Sequence, residues 1–189
     1  MNTENDQYYI AKYRAGDEEA LKWLIDIYTK PIYNFVYRTI QHETETIDVT
    51  QDIFVKMWKH LDKYNPQYSF KTWLFTIANR TCIDYLRTRK NIPFSYFDTD
   101  DGRNPITDTL TDESTDSDIE AMKNEQTTQI KIAIQKLPPI YQNVISLRHT
   151  NDFTFEEISH VLNKPVDTIK SQYRRAIHMM RQQLHTHPK

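Results

Sequence analysis

The sequence predicts an all-α protein: two small helical domains joined by an acidic flexible linker. Three observations carry that prediction. Only 2 glycines stand against 8 prolines in 189 residues, and long polar side chains that suit helices abound. Apolar residues recur at three- and four-residue steps near both ends of the chain. Between them, 91–125 is rich in Asp, Thr and Ser and shows no helical period until about Ile119. The expected boundaries are 1–90, 91–125 and 126–189, and no internal repeat is visible.

Charge follows the same division. The net charge of −2 hides 13 basic against 12 acidic residues over 1–90, 2 against 10 over 91–125, and 9 against 4 over 126–189. The middle segment is therefore strongly anionic and the last one cationic. A lone cysteine, Cys82, forms no internal disulfide and suits a reducing cytosol. No apolar run approaches a membrane span and the first residues hold no apolar signal core, so a cytoplasmic protein without membrane insertion is expected.

In the first domain, Gly16 breaks the chain and Asp17 is placed to cap a helix burying Ala20, Leu21, Leu24, Ile27 and Tyr28. Pro31 suits the first turn of a separate helix carrying Ile32, Phe35, Val36 and Ile40 inward. A third helix is expected from about Ile47 to Leu61. Val49, Ile53, Met57 and Leu61 form its buried stripe, while Asp48, Gln51, Asp52 and Lys56 point elsewhere. A long helix follows Ser69 and ends in Arg87, Arg89 and Lys90. Before and within it, Tyr64, Tyr68, Phe70, Trp73 and Phe75 alternate with Lys63, Lys71 and Arg80. Such rings either stack on exposed bases, with the cations on phosphates, or fill a helical core. Trp73 and Phe75 lie two residues apart and cannot share one helix face, so at least one ring is expected to be exposed or in the preceding loop.

The second domain ends in TFEEISHVLNKPVDTIKSQYRRA, Thr154–Ala176. Thr154 and Glu157 form a capping box, with Phe153 and Ile158 as the hydrophobic staple outside it. After a tight turn, a second helix buries Ile169, Tyr173, Ala176 and Met180 and turns Lys170, Arg174 and Arg175 outward. A small helix pair with a guanidinium-rich second helix is the layout that puts side chains into a DNA major groove.

These residues resemble a known family. IDVTQDIFVKMWKHLDKYNPQYSFKTWLFTIANRTCIDYLRTRK resembles region two of bacterial RNA polymerase sigma factors of the extracytoplasmic-function group. LPPIYQNVISLRHTNDFTFEEISHVLNKPVDTIKSQYRRAIHMMRQQL resembles their region four. The specific part is Asp48, Thr50, Gln51, Asp52, Phe54 and Trp58, followed in order by Trp73–Asn79 and Asp84–Arg87. The resemblance implies a promoter-specificity subunit that binds core RNA polymerase, and not an enzyme. Asp48, Gln51 and Asp52 would meet basic groups on the clamp helices of the largest subunit, with Phe54 and Trp58 supporting the helix or the contact. Tyr68, Phe70, Lys71, Trp73, Asn79, Arg80 and Arg87 would serve the single-stranded −10 element, although Asn79 equally suits an internal hydrogen bond. Lys170, Ser171, Arg174 and Arg175 would serve the duplex −35 element through base edges or phosphates.

Two departures from the family pattern stand out. Asn163 occupies a turn position where glycine is common, and asparagine tolerates a left-handed backbone. Asp167 opens the recognition helix, where it favours the helix dipole but repels phosphate. The acidic linker reads either as a solubilising spacer or as an occupant of a basic polymerase channel. An anti-sigma factor is the further partner the resemblance implies. Neither cofactor nor metal is expected: His178, His185 and His187 are spread over a tail without nearby Cys or carboxylate. A free-standing helix-turn-helix regulator is the alternative binding reading. A nucleic-acid-processing enzyme is the third, and it lacks a catalytic constellation.

Overall fold

The structure, a computed structural model, describes residues 3–90 and 125–185. Eight α-helices and one 3-10 turn are present among them: α1 (Thr3–Arg14), α2 (Glu18–Ile40), α3 (Glu43–His60), the turn Leu61–Lys63, α4 (Phe70–Lys90), α5 (Glu125–Gln135), α6 (Pro139–His149), α7 (Phe155–Leu162) and α8 (Val166–His185). No strand occurs among the described residues. The expected acidic linker falls outside them, apart from Glu125, which opens α5.

Local signals explain most boundaries. Gly16 has φ +98°, a value open to glycine at little cost, and Asp17 accepts the Glu19 amide at 3.2 Å to start α2. Where the sequence suggests a new helix at Pro31, α2 instead runs straight through it. Proline there deprives the Ile27 carbonyl of its usual partner, but Leu24, Tyr28, Ile32, Phe35 and Val36 stay in one buried stripe across the site, and tertiary burial holds the helix together. α3 begins earlier than expected because the His42 side chain caps it, accepting the Glu45 amide. α1 is a helix that the sequence reading did not place.

α4 is packed on two sides. Toward the N-terminal helices lie Phe70, at 5.5 Å from both Tyr28 and Tyr64. Phe75 touches both helical sets, meeting Phe153 edge to face at 5.1 Å and Phe35 of α2 at 5.5 Å. Phe153 precedes α7, so one buried core runs from Ile10 through α2, α3 and α4 into Val144, Leu147, Phe153, Ile158, Val161 and Ile169. A smaller core of Leu137, Tyr141, Ile145 and Ala176 joins α5, α6 and α8. Cys82 lies fully inside the larger core, where burial pushes its thiol up to about 12.

Polar contacts cross the same junction. Lys71 donates to the Asn151 carbonyl and lies 4.5 Å from the centre of the Phe153 ring. Thr72 donates to Glu157 at 3.3 Å, and Asn143 donates to the Thr39 hydroxyl at 3.0 Å.

Phe153 thus serves both helical sets, and its loss opens a cavity at their junction. Phe153→Ala is expected to lower unfolding stability by about 3–5 kcal/mol, measured by urea denaturation. A loss within the surface-substitution range of about 0.5 kcal/mol would show that the junction carries no packing energy.

Candidate nucleic-acid and protein interface

Three exposed faces among the described residues carry the candidate functional side chains. The first lies on α3. Val49, Ile53 and Met57 are buried as their spacing predicts, which turns Asp48, Gln51 and Asp52 outward. Asp52 already holds an ion pair with Lys56 at 2.8 Å, and Lys56 also reaches Thr81 on α4 at 3.3 Å. Trp58 is 52% exposed, and its indole N–H donates to Tyr13 on α1 at 2.7 Å. The ring is therefore anchored by its polar edge and still presents apolar surface. Phe54 behaves differently, being partly buried against the core; its place supports α3 from behind.

Two residues that the sequence reading left out join this face. Ile47 is 46% exposed and Val55 is 42% exposed. With Gln51 and Trp58 they form a stripe down α3, flanked by Asp48 and Asp52. Both fall two positions off the buried four-residue stripe. The face is thus acidic and apolar together, a composition suited to docking on a basic helical partner.

The second face surrounds the loop between α3 and α4. Tyr68 is the most exposed ring, at 68%, and its backbone carbonyl is held by the Tyr64 hydroxyl at 2.5 Å. The other rings of this segment are not free. Tyr64 and Phe70 are buried, and Trp73 packs partly buried at 5.3 Å from Tyr64 and 5.6 Å from Phe70. Phe75 is buried on the opposite side. Neither Trp73 nor Phe75 therefore stands free, because α4 finds apolar partners on both flanks; the exposed ring lies in the preceding loop.

The cations divide in the same way. Lys71 is half-buried, and burial lowers its ammonium below the usual lysine range, partly opposed by Asp152, Glu157 and Asp6. In this arrangement it faces Asn151 and Phe153, not open solvent. Asn79 is buried. Arg80 and Arg87 are exposed about two turns apart along α4, with Arg87 3.9 Å from Asp84. Helical rise puts Arg80 about 15 Å along the axis from Phe70.

The third face belongs to α8. The capping box of α7 is complete: Glu157 N–H reaches Thr154 Oγ1 at 3.1 Å and Thr154 N–H reaches Glu157 Oε2 at 2.8 Å. Phe153 and Ile158 are both buried at the staple positions. Asn163 takes the left-handed backbone, φ 52°, and closes α7. α8 then buries Ile169 and Ala176, half-buries Tyr173 and Met180, and exposes Lys170, Arg174 and Arg175. Ser171 is half-buried at the margin. Gln172, unremarked in the sequence reading, is fully buried, and its amide finds no hydrogen-bond partner among the described residues. No cluster of His, Cys, Asp and Glu suited to a metal occurs among the described residues.

Comparison with known proteins bears on these faces. The family model for sigma-70 region 2 matches residues 24–92, and that for sigma-70 region 4 matches residues 128–180. The ECF RNA polymerase sigma factor SigW of Bacillus subtilis is 31% identical over 179 residues, covering 93% of this chain and 94% of its own. The fold is similar to the sigma factor RpoE of Bartonella quintana, solved in complex with the anti-sigma factor NepR (TM-score 0.64, 20% identity, 88% of this chain and 98% of that one). It is also similar to CnrH, solved in complex with the cytosolic domain of CnrY (TM-score 0.63, 20% identity, 97% and 99%).

The split between surface and core rings has a direct consequence for stability. Tyr68→Ala is expected to change unfolding stability by no more than about 0.5 kcal/mol, whereas Phe70→Ala is expected to cost about 3–5 kcal/mol. Parallel urea denaturation of the two variants measures the difference. Equal losses would mean that Tyr68 is packed and unavailable for stacking.

Proposed function

The chain belongs to the extracytoplasmic-function group of sigma-70 factors, and on that premise we propose how its exposed faces divide the work. A sigma factor of this group binds core RNA polymerase and directs promoter-specific transcription initiation. The proposed division is a core-binding and −10 unit over 1–90, an acidic connector over 91–125, and a −35 unit over 126–189. The observation that carries it is the segregation of faces: acidic and apolar on α3, cationic on α8.

On α3, Asp48, Gln51 and Asp52 meet basic groups of core polymerase while Ile47, Val55 and Trp58 bury apolar area around them. Tyr68 offers a stacking surface for an unpaired −10 base, and Arg80 and Arg87 track the backbone further along α4. Phe70 and Trp73 support that loop from within the core. Lys71 joins the −10 surface only where its contact with Asn151 is given up. Lys170, Arg174 and Arg175 take the −35 duplex, with Ser171 at the groove edge and Asp167 limiting phosphate approach at the helix start.

The connector's surplus negative charge fits a basic polymerase channel that nucleic acid later occupies. An anti-sigma protein is the regulatory partner this reading adds, supported by the complexes in which the similar sigma factors are solved. The chain acts by binding and positioning, without chemistry of its own, in the cytoplasm where core polymerase works. Among the described residues no helix is long and apolar enough to cross a membrane.

Asp48 gives the cleaner test of the α3 face, because Asp52 is already committed to Lys56. Asp48→Lys is expected to weaken core affinity by about tenfold or more, by placing like charge against a basic partner, with helix content unchanged. Fluorescence titration against core polymerase measures it, and unchanged affinity would remove this face from the interface.

The basic face of α8 is tested by Arg174→Ala and Arg175→Ala on a panel of single-base −35 variants at two salt concentrations. A base contact is expected to cost about 1–3 kcal/mol of discrimination, whereas a phosphate contact lowers all sequences alike and flattens the salt dependence. If neither substitution changes binding, the recognition face is wrong.

A further inference from the structure

The loop that carries Tyr68 is held from outside by α1. Three carbonyls at the end of α3 and just beyond it converge on a single guanidinium: Arg14 Nη2 lies 3.0 Å from Leu61 O, 3.3 Å from Asp62 O and 3.0 Å from Tyr64 O. Helix ends leave such carbonyls without intrahelical partners, and a cation there also meets the negative end of the helix dipole. Two turns earlier on the same face of α1, Gln7 Nε2 donates to Pro66 O at 2.9 Å. Inside the loop, Asn65 Oδ1 accepts the Gln67 amide at 3.0 Å, and the Tyr64 hydroxyl holds the Tyr68 carbonyl.

Arg14 is itself exposed and adds nothing to the apolar core. α1 docks by other means: Ile10 is buried, and Asp6 accepts the Tyr28 hydroxyl at 2.6 Å. Arg14 and Gln7 therefore add to a docking that α1 also makes through Ile10 and Asp6. What they do hold is the backbone from Leu61 to Pro66, which leads into Tyr68, the highly exposed ring of the loop.

We infer that Arg14, assisted by Gln7, is a positioning residue that presets the Leu61–Tyr68 backbone so that Tyr68 is presented to the unpaired promoter base. The inference rests on the reading of this loop as the −10 surface. A loop ordered in advance does not pay its ordering entropy at the moment of binding, so loss of the clamp lowers affinity without removing any contact to the nucleic acid. All three contacts fall on the one nitrogen Nη2, and a lysine ammonium, carried on a stem one bond shorter, keeps the charge without placing a donor at that point.

The test uses holoenzyme assembled from core polymerase and the full chain. Its probe is a fluorescent single-stranded oligonucleotide selected from a random library by the same holoenzyme. Arg14→Ala is expected to weaken binding of this probe by about tenfold, and Arg14→Lys to recover it only in part. The salt slope of binding stays unchanged, because Arg14 touches no phosphate. Affinity for core polymerase and for duplex −35 DNA stays at the wild-type level. Gln7→Ala is expected to act in the same direction by about threefold, and it supplies the answer if Arg14→Ala folds poorly.

Tyr68→Ala runs in parallel to separate the two claims. If Tyr68→Ala weakens the probe while Arg14→Ala and Gln7→Ala leave it unchanged, the positioning role is overturned and the loop reading stands. If Tyr68→Ala has no effect, the loop reading fails and takes the inference with it. A fall in salt slope for Arg14→Ala would mean direct phosphate contact, and a matching fall in core affinity would mean a general folding role. Either result overturns the inference.

Discussion

Phe75 and Phe153 meet at 5.1 Å inside a core that passes without interruption from the N-terminal helices to the C-terminal ones. α4 is the helix between them, and its use of both flanks decides what every neighbouring residue can do. One flank is taken by Tyr64, Phe70 and Trp73, and the other by Lys71, Thr72 and Phe75. Among the described residues, an outer edge with Arg80, Asp84, Arg87 and Thr88 is what faces solvent along the helix. Among the described residues, a segment whose composition suggests a broad nucleic-acid surface thereby keeps as exposed ring and cations Tyr68 and Lys63 before the helix and Arg80 and Arg87 on it.

The junction is not uniformly apolar. Around Phe153 it is largely aromatic, but where α6 meets α2 it carries Asn143 bonded to Thr39. Asn143 Oδ1 and Ser146 Oγ are buried there on α6 without hydrogen-bond partners among the described residues. Each such atom costs about 1–3 kcal/mol relative to a hydrated one, which offsets part of the apolar gain. The half-buried Lys71, with its ammonium lowered by desolvation, adds to the same side of the balance. The two helical sets are thus joined by packing that some of their polar groups oppose, and α3 carries a like cost, since Thr50 Oγ1 lies buried on it without a hydrogen-bond partner among the described residues.

Much of this was legible in the order of residues. The Val49–Leu61 stripe, the Gly16–Asp17 break, the capping box at Thr154 and the basic face of α8 all rest on contacts within a few residues, where spacing maps directly onto geometry. The sequence reading went astray at Pro31, because a local signal for a helix start was overridden by a buried stripe running across it. It passed over Ile47 and Val55 because an apolar residue on an exposed face looks, in one dimension, like a core residue. The meeting of Phe75 with Phe153 carried no signal at all, since each ring has the pattern of a core position in its own helical set. Arg14 was equally silent: its partners are backbone carbonyls 47 to 50 positions away, and carbonyls leave no trace in side-chain pattern.

The central claim is that these faces act together on core polymerase and on a promoter. Reconstituted transcription tests it most directly, with core polymerase, the full chain, and a library of templates randomised in two windows upstream of a common reporter segment. The account predicts transcripts that appear only when the chain is added, with enriched sequence in both windows and a start at a fixed distance downstream. A chain that binds duplex templates yet leaves core polymerase silent would contradict it, and would return the protein to a free-standing helix-turn-helix regulator.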